Sequence, residues 1–89
     1  MKEKKMILAN IGSGSSYLPD IAEMLIERRE TMKVEEWRLM DIDSYRLNCT
    51  GNYVKKMFKD AGMNTKIILT MNLEEAVKNC DFVISTIRP

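Results

Sequence analysis

The chain contains no histidine. That absence removes the commonest general base, the commonest transition-metal ligand and every Ser-His or Cys-His nucleophile arrangement. Cysteine is scarce too. Cys49 and Cys80 fall in different predicted elements, at no metal-ligand spacing, and read as reduced, buried small hydrophobes. No apolar run approaches the roughly 18 residues of a membrane span, and the N-terminus lacks an apolar signal-peptide core. The expected compartment is therefore the cytoplasm, with no membrane partner. An excess of one charge is also missing: 14 basic residues against 13 acidic leave no broad basic surface for nucleic acid. The Lys2-Glu3-Lys4-Lys5 start reads as a solvated lead-in. There is no linker, repeat or low-complexity segment, so the 89 residues form one small domain. A chain of this size buries roughly 60–70% of its unfolded surface.

What is present is organised around Met6 to Pro19, MILANIGSGSSYLP. An apolar run breaks at glycine and restarts as a helical pattern, the layout in which backbone N–H groups and a helix N-terminus meet a phosphate. Two glycines of the Gly-x-Gly-x-x-Gly dinucleotide fingerprint are here. Gly12 makes the tight turn and Gly14 leaves room for a pyrophosphate, while Tyr17 stands at the third position. Ser13, Ser15 and Ser16 supply hydroxyl and amide donors to a phosphate, or else serve as turn formers.

Downstream, apolar runs and helical periods alternate. Leu18, Ile21, Ala22, Leu25 and Ile26 mark the first helix, with Arg28 and Arg29 in its last turn. Glu36 to Met40 is the second strand, and Ser44 to Ala61 the second helix, closed by Gly62. Gly51 inside that helix implies close packing against the sheet. Lys66 to Thr70 is the third strand. Asn72 caps a short helix, with Glu75 as a capping-box partner, and Phe82 to Ser85 is the fourth strand. The expected fold is α/β: a Rossmann-like parallel sheet in the order 3-2-1-4 with helices on both faces, the first half of a doubly wound domain. The fourth strand is then an edge, although its apolar run resembles an interior strand. On this reading residues 1–89 are a truncated N-terminal nucleotide-binding domain that lacks its catalytic and metal-binding remainder. The open edge is expected to drive homo-oligomer formation.

Asp41 closes the second strand beside the glycine turn. A carboxylate there accepts hydrogen bonds from ribose hydroxyls and repels a 2′-phosphate, which favours NAD over NADP. Asp43, just before a helix, is an N-cap. Arg88 follows the last strand on the side where open α/β sheets bind ligands, and its planar fork suits a phosphate. These residues alone leave open a nicotinamide dehydrogenase, a methyltransferase or a non-catalytic nucleotide-binding module.

Gly12-Ser13-Gly14-Ser15-Ser16-Tyr17-Leu18-Pro19, then Asp41-Ile42, Asp81-Phe82-Val83 and Ile87-Arg88, resemble the N-terminus of glycoside hydrolase family 4, most closely its 6-phospho-β-glucosidases. Ser13, Thr86 and Pro89 depart from the family pattern. The resemblance implies an NAD-dependent glycosidase, an exception to two-carboxylate hydrolysis. In such enzymes C3 of the sugar is transiently oxidised, the glycosidic oxygen leaves by elimination, and water adds back. It also implies a divalent metal, commonly manganese, and a phosphorylated disaccharide or glucoside as substrate. Gly12, Gly14, Ser15, Ser16 and Asp41 would hold the cofactor and Arg88 the substrate. Catalytic and metal-ligating residues are expected outside this chain, so the isolated chain is expected to be inactive.

Overall fold

Seven elements alternate between strand and helix in a computed structural model that describes residues 6–14 and 17–85. They are β1 (Met6–Ile11), α1 (Leu18–Glu27), β2 (Val34–Met40), α2 (Ser44–Asp60), β3 (Lys66–Thr70), α3 (Leu73–Val77) and β4 (Phe82–Ser85). The sheet runs β3-β2-β1-β4 with every pair parallel, the order expected from the sequence. The turn after β1 and the end of β2 therefore lie side by side at the carboxyl ends of the two central strands.

Neighbouring residues on β2 show how the helices are distributed, because successive strand side chains point to opposite faces. Trp37 is completely buried and stacks on Phe58 of α2 with ring centroids 5.5 Å apart. The same cluster takes in Leu18, Ala22 and Leu25 from α1. Arg38 points the other way, and its Nη1 donates to the carbonyls of Glu75, Ala76 and Lys78 at the end of α3. Helices α1 and α2 thus cover one face and α3 the other. Arg38 satisfies carbonyls that a short helix leaves without intrahelical donors.

Several local expectations shift. β2 begins at Val34, which is buried and pairs with Met6, rather than at Glu36. α1 ends at Glu27, so Arg28 and Arg29 lie past its last turn. The Arg29 guanidinium still reaches back to the Ile26 carbonyl at 3.2 Å. α2 closes at Asp60, one residue before Ala61. Asn72 caps α3 by accepting from the Glu75 N–H at 3.1 Å, but the box does not close. The Glu75 carboxylate instead accepts from the Thr70 hydroxyl, whose oxygen accepts from the Asn72 N–H, both at 3.0 Å.

Gly51 packs as expected: a Cβ there would meet the two methyls of Leu69 on β3 at 2.5 and 2.7 Å. The cysteines are free but not buried, since Cys49 is exposed and Cys80 half-buried. The physical reason for Cys49 is helical phase. Leu47, Gly51, Val54 and Phe58 form the inward stripe of α2, and position 49 falls off it. On β4, Phe82 and Val83 are more than half exposed, as befits an edge strand. Lys2 to Lys5, Ser15, Ser16, Thr86, Arg88 and Pro89 lie outside the described residues. None of the helices among the described residues is long and apolar enough to cross a membrane.

Candidate functional site

The turn between β1 and α1 is fastened to the end of β2 by consecutive backbone groups. Gly12 takes φ +81°, a left-handed conformation that a side chain would disfavour, and this reverses the chain. The N–H groups of Gly12 and Ser13 both donate to the Met40 carbonyl at 2.9 Å. The Gly14 N–H donates to Oδ2 of Asp41 at 2.7 Å, a charge-assisted bond. Three successive amides of the glycine turn therefore point at β2 and not outward.

Ser13 is likewise turned inward. It is fully buried, its hydroxyl donates to the Asn10 carbonyl at 2.9 Å, and its oxygen accepts from the Met40 N–H at 3.0 Å. Of the two roles open to Ser13, phosphate donor or turn former, the second fits: a fully buried hydroxyl that donates and accepts within the protein is not presented to a ligand. It bolts the two central strands together at the site's floor.

Asp41 is half-buried and organises the rim. Its Oδ2 holds Gly14 and its Oδ1 accepts from the Asp43 N–H at 2.8 Å. Each oxygen keeps a second lone-pair direction, so the carboxylate is fixed in place yet able to accept ribose hydroxyls. Asp43 is the N-cap of α2, as expected, accepting from the Arg46 N–H at 3.1 Å. The tightest demand on Gly14 comes from the protein itself. A Cβ there would stand 2.7 Å from Cβ of Arg46 and 2.8 Å from Oδ2 of Asp41.

Two residues of α2 belong to this site without having been singled out by sequence. Thr50 donates its hydroxyl to the Ser13 carbonyl at 2.7 Å, with the Arg46 carbonyl at 2.9 Å as the alternative acceptor. Arg46, one turn earlier on the same helical face, lays its stem beside Gly14. A signal for Arg46 was available: a cation in the first turn of a helix opposes the macrodipole. Thr50 carried no such mark.

The site brings together a glycine turn with no side chain at position 14, a fixed carboxylate, and the N-terminus of α2 alongside. Among the described residues no three His, Cys, Asp or Glu side chains come together.

Comparison with known proteins gives a consistent picture. A family model described as Family 4 glycosyl hydrolase matches residues 7–89. A probable 6-phospho-beta-glucosidase of Bacillus subtilis is 37% identical over 87 residues, covering 96% of this chain and 20% of its own. The 6-phospho-beta glucosidase of Thermotoga maritima, solved with NAD and glucose-6-phosphate, superposes with a TM-score of 0.87 at 31% identity, over 97% of this chain and 20% of that one. A 6-phospho-alpha-glucosidase from gut microorganisms, solved with NAD and Mn2+, gives a TM-score of 0.89 at 27% identity, over 96% and 19%. The chain thus spans about a fifth of the length of these relatives.

Proposed function

The chain belongs to family 4 of the glycosyl hydrolases, and from that premise we propose that it forms the NAD-binding N-terminal part of an enzyme hydrolysing 6-phospho-β-glucosides. The observation that carries the reading is Asp41, locked to the glycine turn through Gly14 and still able to accept from a ribose. The relatives solved with NAD and the β-glucosidase names among the matches support it. When bound, NAD supplies a hydride acceptor for C3 of the sugar, which allows the glycosidic oxygen to leave by elimination before water adds back.

The roles proposed for this chain are binding and orientation. Gly12 sets the turn, and Gly14 and Asp41 fix the adenosine end. Ser15 and Ser16 donate to the pyrophosphate. Arg88 takes the sugar's 6-phosphate through its planar fork. No metal step is given to the described residues. Manganese is part of the proposal only for the enzyme as a whole, on the strength of relatives solved with it. Homo-oligomer formation, a cytoplasmic location and the inactivity of residues 1–89 alone belong to the same proposal.

Two measurements test it. Calorimetric titration of the chain with NAD+ should give saturable binding, and a flat titration overturns the nucleotide assignment. In the active enzyme, Arg88→Ala should lower turnover of a 6-phosphoglucoside about 10- to 150-fold, the worth of a charge-assisted hydrogen bond, while NAD+ affinity stays nearly constant. Arg88→Lys should recover part of that loss, because lysine keeps the charge without the fork. Loss of NAD+ binding on Arg88→Ala, or an undiminished rate on the phosphorylated substrate, removes Arg88 from the substrate role.

A further inference from the structure

The carboxylate of Asp41 suggests exclusion of a 2′-phosphorylated cofactor, but the groups around it argue against exclusion. Both of its oxygens accept backbone N–H bonds, from Gly14 at 2.7 Å and from Asp43 at 2.8 Å, and each N–H dipole offsets part of the negative charge. Arg46 stands beside it. The Cβ of Arg46 and Oδ2 of Asp41 both close to within 3 Å of the point that a Gly14 Cβ would occupy, at 2.7 and 2.8 Å. The root of the arginine stem therefore stands close to the carboxylate, and its Nε lies 3.7 Å from Oδ2 of Asp43, the next acid along.

Three features set Arg46 apart from an ordinary surface arginine. It occupies the first turn of α2, where a cation weakens the helix, so helix stability does not account for it. Its one ion-pair partner among the described residues is Asp43, through Nε at 3.7 Å, a long contact between exposed groups. Its terminal guanidinium nitrogens make no hydrogen bond among the described residues, and the side chain is 71% exposed. A planar, always-charged fork thus stands on a stem rooted beside Gly14, with its terminal nitrogens unbonded among the described residues.

We propose that Arg46 is a specificity residue for the adenosine end of the cofactor, its guanidinium receiving a 2′-phosphate, so that the site binds NADP+ as well as NAD+. This rests on the nucleotide-binding reading above. A ribose whose hydroxyls face Asp41 carries any 2′-phosphate outward past the carboxylate, into the space Arg46 commands. There the phosphate meets one repelling acid, already hydrogen-bonded, and one cation whose fork matches two of its oxygens. The acid lowers NADP+ affinity relative to NAD+, and the arginine limits how far.

The test is calorimetric titration of the chain and its Arg46→Ala and Arg46→Lys variants with NAD+ and with NADP+. The unsubstituted chain should bind both. Arg46→Ala should weaken NADP+ about 10- to 150-fold, but NAD+ by no more than about fivefold, the worth of an exposed cation–π contact with the base. Arg46→Lys should restore part of the NADP+ affinity, and added salt should weaken NADP+ more steeply in the unsubstituted chain than in Arg46→Ala. Arg46→Ala should melt no lower than the parent, since it removes an unfavourable charge from a helix N-terminus, which separates a binding loss from misfolding. An unchanged ratio of the two affinities in Arg46→Ala overturns the proposal, as does a chain that binds NAD+ but not NADP+. A chain that binds neither overturns the nucleotide-binding reading itself.

Discussion

Replacing Gly14 by alanine is expected to destabilise the chain by about 2.5–6 kcal/mol and to remove cofactor binding with it. The added methyl would stand 2.7 Å from Cβ of Arg46, an atom fixed to the α2 backbone, and 2.8 Å from a carboxylate oxygen that already holds Gly14. Relieving that overlap costs about 1–3 kcal/mol by the usual scale of overpacking. Pushing Asp41 away also breaks a charge-assisted hydrogen bond worth about 1.5–3 kcal/mol. For a domain of this size such losses lower the melting temperature by roughly 10 °C or more. Gly51 provides the internal contrast. There the obstructing atoms are the methyls of Leu69, the far end of a flexible side chain. Alanine also gains about 1 kcal/mol of helix propensity over glycine, so Gly51→Ala should be close to neutral. Thermal unfolding followed by circular dichroism separates the two. A Gly14→Ala chain melting within about 2 °C of the parent rules out the packing account. If that chain also fails to bind NAD+, the demand for a bare position comes from the ligand.

Which parts of this were legible in the sequence follows from the range of the interactions involved. Strand and helix alternation was legible because it rests on local periodicity, and the order 3-2-1-4 because crossover handedness leaves few alternatives. Asp43 and Asn72 were legible as caps, since a cap acts within three residues. Ser13 stayed open between phosphate donor and turn former because its partners are the Met40 N–H, 27 residues away, and the Asn10 carbonyl, and no pattern in the turn says that the hydroxyl points inward. Arg38 drew no reading of its own within the strand Glu36 to Met40. Its task, collecting the last carbonyls of α3, exists only once the crossover brings that helix over the sheet. Asp41 was picked out for its position, yet its bond to Gly14 spans 27 residues and changes what the glycine is for. The glycine turn thus has two halves. The first, Gly12 to Gly14, is built into the sheet, and the second is where the proposal puts the pyrophosphate.

The second large effect is expected at Trp37, and it turns on a polar pair inside the apolar face. Trp37 is fully buried, stacked on Phe58, and its Nε1 donates to Oδ1 of Asn10 at 2.7 Å. Asn10 on β1 is also fully buried, and its Nδ2 has no partner among the described residues. Trp37→Ala removes the largest side chain of the core and should cost about 3–5 kcal/mol. That is a large share of the roughly 5–15 kcal/mol that holds a small domain together. The chain should then be substantially unfolded near 37 °C. Trp37→Phe is the sharper variant. It keeps a ring against Phe58 but strands Oδ1 of Asn10, leaving a buried amide with no partner at either end, an added penalty of about 1–3 kcal/mol. Asn10→Leu in that background removes the stranded amide altogether. It should recover about 1–3 kcal/mol, although the same change alone, which leaves Nε1 of Trp37 unpaired, should destabilise. The sign reversal is the signature of a polar pair that must be kept or removed together. Urea unfolding of the four chains with a common slope measures it. Asn10→Leu effects of the same sign and size in both backgrounds would show that the two side chains are not coupled, and the Trp37 loss would then be packing alone.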